Sequence, residues 1–169
     1  MISAAEAAKK YNMHSPPLFE IILPMTNSSS QLAYLHKTFA KISKASQEIF
    51  NIKSPLSRID VIPLFEDFTV LLNGHDILEK YIKILQKEYK ITPSYLRVFI
   101  ARSDTALNAG ILPAKLSEIS AISNYHEFGE KNGIEIYPWV GAGCLPFRGA
   151  INPEDIEIAI DDNRGISSF

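Results

Sequence analysis

Apolar residues gather in four short runs, over 18–23, 59–65, 96–101 and 134–140, each rich in β-branched or aromatic side chains and bounded by turn residues. That pattern predicts buried strands. Between the runs the period changes from strand-like to helical. After the first, Ser28 and Ser30 offer N-caps, and Leu32, Leu35, Phe39, Ile42 and Ile49 recur at helical spacing opposite Lys37, Lys41 and Lys44. An amphipathic surface helix is predicted there. After the second, Asn73-Gly74 signals a turn, and Ile77, Leu78, Tyr81, Ile82, Leu85 and Tyr89 form a stripe that ends before Thr92-Pro93. A third helical stretch covers 105–128, with a kink or restart predicted at Gly110 and Pro113 and closure at Gly129 and Gly133. The Ala-rich residues 1–12 read as a further short helix.

Strand starts at 18, 59, 96 and 134 lie about 40 residues apart, a repeating βα rhythm whose crossovers favour parallel, right-handed connections. The predicted class is α/β with repeating βα units. Two architectures share this rhythm: a small doubly wound open sheet, and part of a TIM-type (β/α)8 barrel of about 250 residues. With no low-complexity linker, residues 1–169 are read as a single domain of four βα units.

Composition narrows the function classes. With 46% hydrophobic and 21% charged residues, the chain has the make-up of an ordinary globular protein. A net charge of −2 without a run of like charges gives no footprint for nucleic acid. No apolar stretch approaches the roughly 20 residues of a membrane helix, and residues 1–12 lack a secretory pattern. No membrane association and a cytoplasmic location are expected. The single cysteine, Cys144, excludes an internal disulfide framework and a thiolate zinc site, and small-residue packing is its expected role. His14, His36, His75 and His126 are scattered in or beside helices or ahead of the first strand, and support neither a histidine metal site nor a triad.

Polar residues concentrate where the predicted strands end: Pro24-Met25-Thr26-Asn27, Glu66-Asp67, Arg102-Ser103-Asp104, and the Gly-rich stretch 141–149. Glu66 and Asp104 are candidate ligands for Mg²⁺, which prefers hard oxygens and commonly takes one or two protein carboxylates. Helix capping is the ordinary alternative for Asp104, as for Asp67. Arg148 sits among glycines, where a planar guanidinium can grip phosphate or carboxylate in bidentate fashion, and Arg102 at an adjacent strand end could do the same. Gly141-Ala142-Gly143 lacks the third glycine of a dinucleotide fingerprint, which disfavours a Rossmann cofactor.

Four ordered motifs, Phe19-Glu20-Ile21-Ile22-Leu23-Pro24-Met25-Thr26, Ile62-Pro63-Leu64-Phe65-Glu66-Asp67, Val98-Phe99-Ile100-Ala101-Arg102-Ser103-Asp104 and Gly141-Ala142-Gly143-Cys144-Leu145-Pro146-Phe147-Arg148-Gly149, resemble the archaeal-type phosphoenolpyruvate carboxylases. The resemblance implies carboxylation of phosphoenolpyruvate by bicarbonate to oxaloacetate and phosphate. It implies a divalent metal, Mg²⁺ or Mn²⁺, held by Glu66 and Asp104 and stabilising an enolate. Arg148 and Arg102 are implied as catalytic residues, and Arg148, Ser103, Asn108 and Thr26 as substrate contacts. It also implies that the chain is a partial barrel, about the middle third of the family's length, truncated at both ends and associating as a homo-oligomer or with the missing part of the barrel. The family's histidine motif and its C-terminal arginine segments have no counterpart in this sequence. Within the motifs, Thr105 and Ala109 stand where proline and tyrosine are expected, and Ala150 where glycine or histidine is usual. Two other readings stay open: another metal-dependent, enolate-forming lyase or aldolase barrel, and a non-catalytic subunit that assembles with a separately encoded remainder.

Overall fold

The computed structural model describes residues 6–8, 10–13, 18–50, 59–141 and 143–169. Of the helix expected over 1–12, residues 6–8 and 10 are helical and the remainder of the prediction falls partly outside the described residues, as do His14 and Ala142.

Strands β1 (Glu20–Leu23), β2 (Asp60–Phe65), β3 (Tyr95–Ile100) and β4 (Glu135–Val140) each overlap a predicted run. They form one parallel sheet in the order β1-β2-β3-β4. The α/β class is therefore established, with strands neighbouring in space in the order of the chain.

The ladders differ, and two prolines explain how. β1 and β2 pair from Glu20↔Asp60 to Leu23↔Pro63, and β3 and β4 from Tyr95↔Glu135 to Ile100↔Val140. β2 and β3 pair only at Leu64↔Phe99 and Phe65↔Ile100. In β2, the Leu64 carbonyl accepts from Thr26 N–H on the β1 side and the Phe65 carbonyl from Ala101 N–H on the β3 side. Alternation then turns Pro63 toward β3, where it has no N–H to donate, and the ladder closes only beyond it. In β4, Pro138 faces the outer edge, since its carbonyl accepts from Ser167 N–H. Its missing donor leaves the β3–β4 ladder intact. Ser168 bridges Trp139 in parallel on that outer edge, so the chain starts a further strand position beside β4.

Helices follow the strands: α1 (Ser29–Phe50), α2 (Phe68–Leu72), α3 (Gly74–Ile84) prolonged by a π turn over Leu85–Tyr89, α4 (Ser103–Ala109), α5 (Ile111–Asn132) and α6 (Ile156–Asp162). The inward stripe of α1 is Leu32, His36, Phe39, Ser43 and Ser46. Ile42 and Ile49, expected on that stripe, lie exposed on its flank, because the buried phase runs through the two serines instead. The stripe of α3 is as expected, with Leu78, Tyr81, Ile82 and Leu85 buried. Gly110, at φ +94°, separates α4 from α5, and Pro113 falls in the first turn of α5, where its missing N–H is harmless. Gly133 ends α5 in the left-handed conformation. Gly129 stays helical and serves close approach, since a Cβ there would lie 2.6 Å from the Ile134 carbonyl oxygen.

α1 packs on α3 and α3 on α5, and these helices meet the sheet on the face carrying Val98, Ile100, Ile136 and Val140. Tyr95, Arg97, Phe99, Tyr137 and Trp139 alternate onto the opposite face. There Phe99 stacks on Trp139 at 4.4 Å, and Arg97 lies over the Trp139 ring while pairing with Glu20 at 2.7 Å. Ile22, Tyr95 and Tyr137 on that face are exposed.

Gly129→Ala is expected to destabilise the chain by roughly 1–3 kcal/mol, because the backbone of Ile134 must move to admit a methyl group; denaturant unfolding of both proteins measures this, and equal midpoints would contradict the close packing of α5 on β4.

Candidate functional site

The polar groups of the strand ends meet in one place. A cleft of about 190 Å³ opens at the C-terminal ends of β2, β3 and β4, lined by Leu64, Glu66, Phe99, Ala101, Arg102, Ser103, Asp104, Gly141 and Arg148. The sheet dictates this convergence, since parallel strands in sequential order deliver the residues after each strand to the same edge.

Glu66 follows β2 directly, half-buried, and its Oε2 accepts from Met25 N–H at 2.8 Å. One carboxylate oxygen is thus fixed by the loop after β1, where Met25 takes a left-handed φ of 51°. Asp104 falls in the first turn of α4, not at the strand end itself. The capping alternative for it is not realised: Arg102 occupies the N-cap position and makes no side-chain cap. The Asp104 carboxylate is exposed to the cleft, with Ser103 Oγ donating to it at 3.4 Å. Asp67, in contrast, does cap α2, accepting from Thr69 N–H at 2.9 Å and Val70 N–H at 3.0 Å and from the Thr69 hydroxyl. The hydroxyl first, then the amide of Val70, hold its carboxyl below the ordinary range.

A buried hydroxyl ties the two acidic segments together. Thr105, where the resemblance led to proline, donates its hydroxyl to the Glu66 carbonyl at 2.9 Å and to the Ala101 carbonyl at 3.2 Å. Proline could make neither bond, so the departure brings its own link between the ends of β2 and β3.

The two arginines occupy different settings. Arg148 closes a 3-10 turn (Pro146–Arg148), is exposed, and has its guanidinium 5.8 Å over the Phe147 ring. Gly143 is required beside it, because a Cβ there would lie 2.8 Å from Arg148 Cβ. Arg102 is buried, with Nη1 2.7 Å from Glu118 Oε2 on α5 and donating to Asn163 Oδ1 at 3.2 Å. Glu118 also receives Lys115 Nζ at 3.2 Å. Burial holds the Glu118 carboxyl above the ordinary range, against the opposing pull of its two cations.

Of the remaining candidates, Ser103 lines the cleft. Thr26 is buried beside β1 and spends its hydroxyl on the Leu23 carbonyl at 2.7 Å, outside the cleft lining. Asn108 is exposed on α4 and does not line the cleft either. Cys144 is exposed on the loop, so the packing role expected of it is not met. Glu118 and Asn163 were not legible as site residues, although the phase of α5 carries a signal. Ala114, Glu118, Ile122 and Tyr125 share one stripe, and a carboxylate on an apolar stripe implies a buried partner.

Among the described residues no group of three or more His, Cys, Asp or Glu side chains could hold a metal. Glu66 and Asp104 nonetheless offer hard carboxylate oxygens to one cleft, a donor set that suits a divalent cation completing its shell with water and substrate. No described helix is long and apolar enough to cross a membrane.

The fold is that of an α/β protein with a cleft lined by charged side chains at the C-terminal ends of parallel strands. A family model described as phosphoenolpyruvate carboxylase matches residues 1–169, and the chain belongs to that family. Among curated relatives, it is 37% identical to the phosphoenolpyruvate carboxylase of Leuconostoc mesenteroides over 90% of this chain and 30% of that protein. It is 35% identical to that of Methanothermobacter thermautotrophicus, over 94% of this chain and 34% of that protein. For Oenococcus oeni the identity is 32%, over 99% and 33%. The chain thus spans about a third of the length of these relatives.

Thr105→Val removes the tie between the acidic segments and leaves buried carbonyls short of a donor, with an expected cost of roughly 1–3 kcal/mol; Thr105→Ser is expected to recover most of it, and equal unfolding midpoints for wild type and Thr105→Val would refute the tie.

Proposed function

We propose that this chain carries part of the catalytic centre for carboxylation of phosphoenolpyruvate by bicarbonate, giving oxaloacetate and phosphate. The observation that supports it is the meeting of Glu66, Asp104 and Arg148 in one cleft of a chain belonging to this family. The cleft is small and of mixed character, with Leu64 and Phe99 beside the charged groups.

Each side chain has a task in this reading. Glu66, with one oxygen fixed by Met25 N–H, and Asp104, free of capping duty, would hold a divalent cation, Mg²⁺ or Mn²⁺. When bound, that ion supplies charge neutralisation for the phosphate and for the enolate oxygen that phosphoryl transfer to bicarbonate leaves behind. Arg148 binds and orients phosphate or carboxyphosphate from the loop, and its exposure allows the loop to adjust around the ligand. Arg102 faces the same anion from the cleft wall. Ser103 orients Asp104. Thr26 acts through the loop after β1 that its hydroxyl supports, and Asn108, exposed on α4, is given no role at the cleft, since neither lines it.

The sequential strand order and the layering of helices α1, α3 and α5 support the reading of this sheet as part of a (β/α)8 barrel, with residues 1–169 as one partial domain. The exposed aromatic and charged face would then be barrel interior, facing further strands. Association with the rest of such a barrel, or with a second copy, fits the exposure of Ile22, Tyr95 and Tyr137. A cytoplasmic location accords with this chemistry.

Glu66→Gln and Asp104→Asn are each expected to weaken Mn²⁺ binding by about tenfold or more, the scale of losing one charged ligand. Titration calorimetry on the folded variants measures it, alongside oxaloacetate formation from phosphoenolpyruvate and bicarbonate. Unchanged Mn²⁺ affinity in both variants would remove the metal site from this reading.

A further inference from the structure

Arg102 is held from behind. Its Nη1 sits between Glu118 Oε2, at 2.7 Å, and Asn163 Oδ1, at 3.2 Å. Both partners are almost inaccessible, Glu118 being 1% and Asn163 4% exposed. Asn163 Oδ1 also accepts from Lys115 Nζ at 2.6 Å, Lys115 donates to the Asp162 carbonyl at 3.0 Å, and Asn163 Nδ2 donates to the Ala159 carbonyl at 2.6 Å. The network therefore spans three elements: the end of β3, helix α5, and the C-terminal end of α6.

Its charge is unbalanced. One carboxylate faces two cations, and the contact of Glu118 Oε2 with Arg102 is an ion pair that lacks hydrogen-bond alignment. A guanidinium has five N–H donors, and among the described residues the bonds of Arg102 all run through Nη1. Arg102 lines the cleft, and Gly149 lies beside its guanidinium, where a Cβ would fall 3.5 Å from Arg102 Cζ. At φ +114° Gly149 also occupies a conformation that L side chains avoid. The Gly-rich loop thus passes beside the arginine that α5 anchors.

We propose that Glu118 is a positioning residue: from outside the cleft it fixes the Arg102 guanidinium so that the unpartnered donors meet a phosphate or carboxylate oxygen of the ligand. Through Lys115 and Asn163 the same carboxylate ties the end of α6 to that arginine. The proposal deepens the anion role given to Arg102 above and rests on that reading. Breaking the pair is costly in two ways, because an isolated buried guanidinium both loses its orientation and draws water or another anion toward itself. Glu118 touches neither Glu66 nor Asp104 in any described contact, so its loss acts on anion binding and spares the cation ligands.

The test uses the full chain with inorganic phosphate as the probe, in calorimetric titrations of wild type, Glu118→Gln, Arg102→Gln and the double variant, with Glu127→Gln as a control that removes an exposed carboxylate from the same helix. Glu118→Gln is expected to weaken phosphate by about tenfold, the scale of losing a supporting partner, and the double variant to be no weaker than Arg102→Gln alone, because Glu118 acts through Arg102. Glu127→Gln should bind as wild type does. Unchanged affinity in Glu118→Gln, or losses that multiply in the double variant, would overturn the proposal. If Glu118→Gln does not fold, Asn163→Ala, which removes the second acceptor of Nη1, is expected to weaken phosphate in the same direction, and unchanged affinity there would overturn it. Absence of phosphate binding by wild type would refute the anion reading of the cleft instead. NMR of the arginine side chains then decides the positioning role by itself: hindered rotation of the Arg102 guanidinium in wild type, lost in Glu118→Gln or Asn163→Ala, supports it, and free rotation in wild type overturns it.

Discussion

Pairing between β2 and β3 is confined to their last residues, Leu64↔Phe99 and Phe65↔Ile100, and every distance in the cleft depends on that short ladder. Pro63 prevents pairing below it by turning a missing donor toward β3. Above it, the Ala101 N–H to Phe65 carbonyl bond and the Thr105 hydroxyl on the Glu66 carbonyl carry the link onward into the loops. The sheet is therefore stitched where the chemistry would occur and unpaired at the other end, where a second cavity of about 120 Å³ is lined by residues 60–62 of β2 and 95–97 of β3. A parallel sheet normally distributes its hydrogen bonds evenly along the ladder. Here one proline shifts them toward the site.

From that ladder the polar groups acquire their roles. Glu66 is presented at the strand end and steadied by Met25 N–H, while Asp104 is carried in the first turn of α4. Arg148 arrives on a compact loop whose backbone is closed by Ile151 N–H to the Gly143 carbonyl and Ala150 N–H to the Leu145 carbonyl. Ala150 takes a left-handed φ of 55° within that loop, a conformation better suited to glycine. Gly149 brings the loop beside Arg102. One buried and one exposed arginine, Arg102 and Arg148, thus line the same cleft.

The strands and the class of fold were legible because buried parallel strands are nearly continuous apolar runs, and nothing else in this chain competes with them. The convergence of Glu66, Asp104 and Arg148 followed from topology alone, once the order of strands matched the order of the chain. Finer features required the third dimension. Ile42 and Ile49 share the period of the α1 stripe but not its phase, and a small angular offset exposes them. Thr26 and Asn108 stand in the right motifs, yet the first is consumed by the Leu23 carbonyl and the second rides the outer side of a short helix. Asp104 and Asp67 look alike in sequence, and only the start of each helix shows that one caps and the other does not. The phase of α5 puts Glu118 on the buried stripe, but which cation it meets, Arg102 sixteen positions back, is visible only in the fold.

The central claim is that Glu66 and Asp104 hold one divalent cation at the junction of β2 and β3. A crystal structure of the chain with Mn²⁺, located by its anomalous scattering, tests this most directly. The account predicts a peak within bonding distance of a Glu66 and an Asp104 carboxylate oxygen; a fully occupied ion bound elsewhere, with these two side chains directed apart, would contradict it.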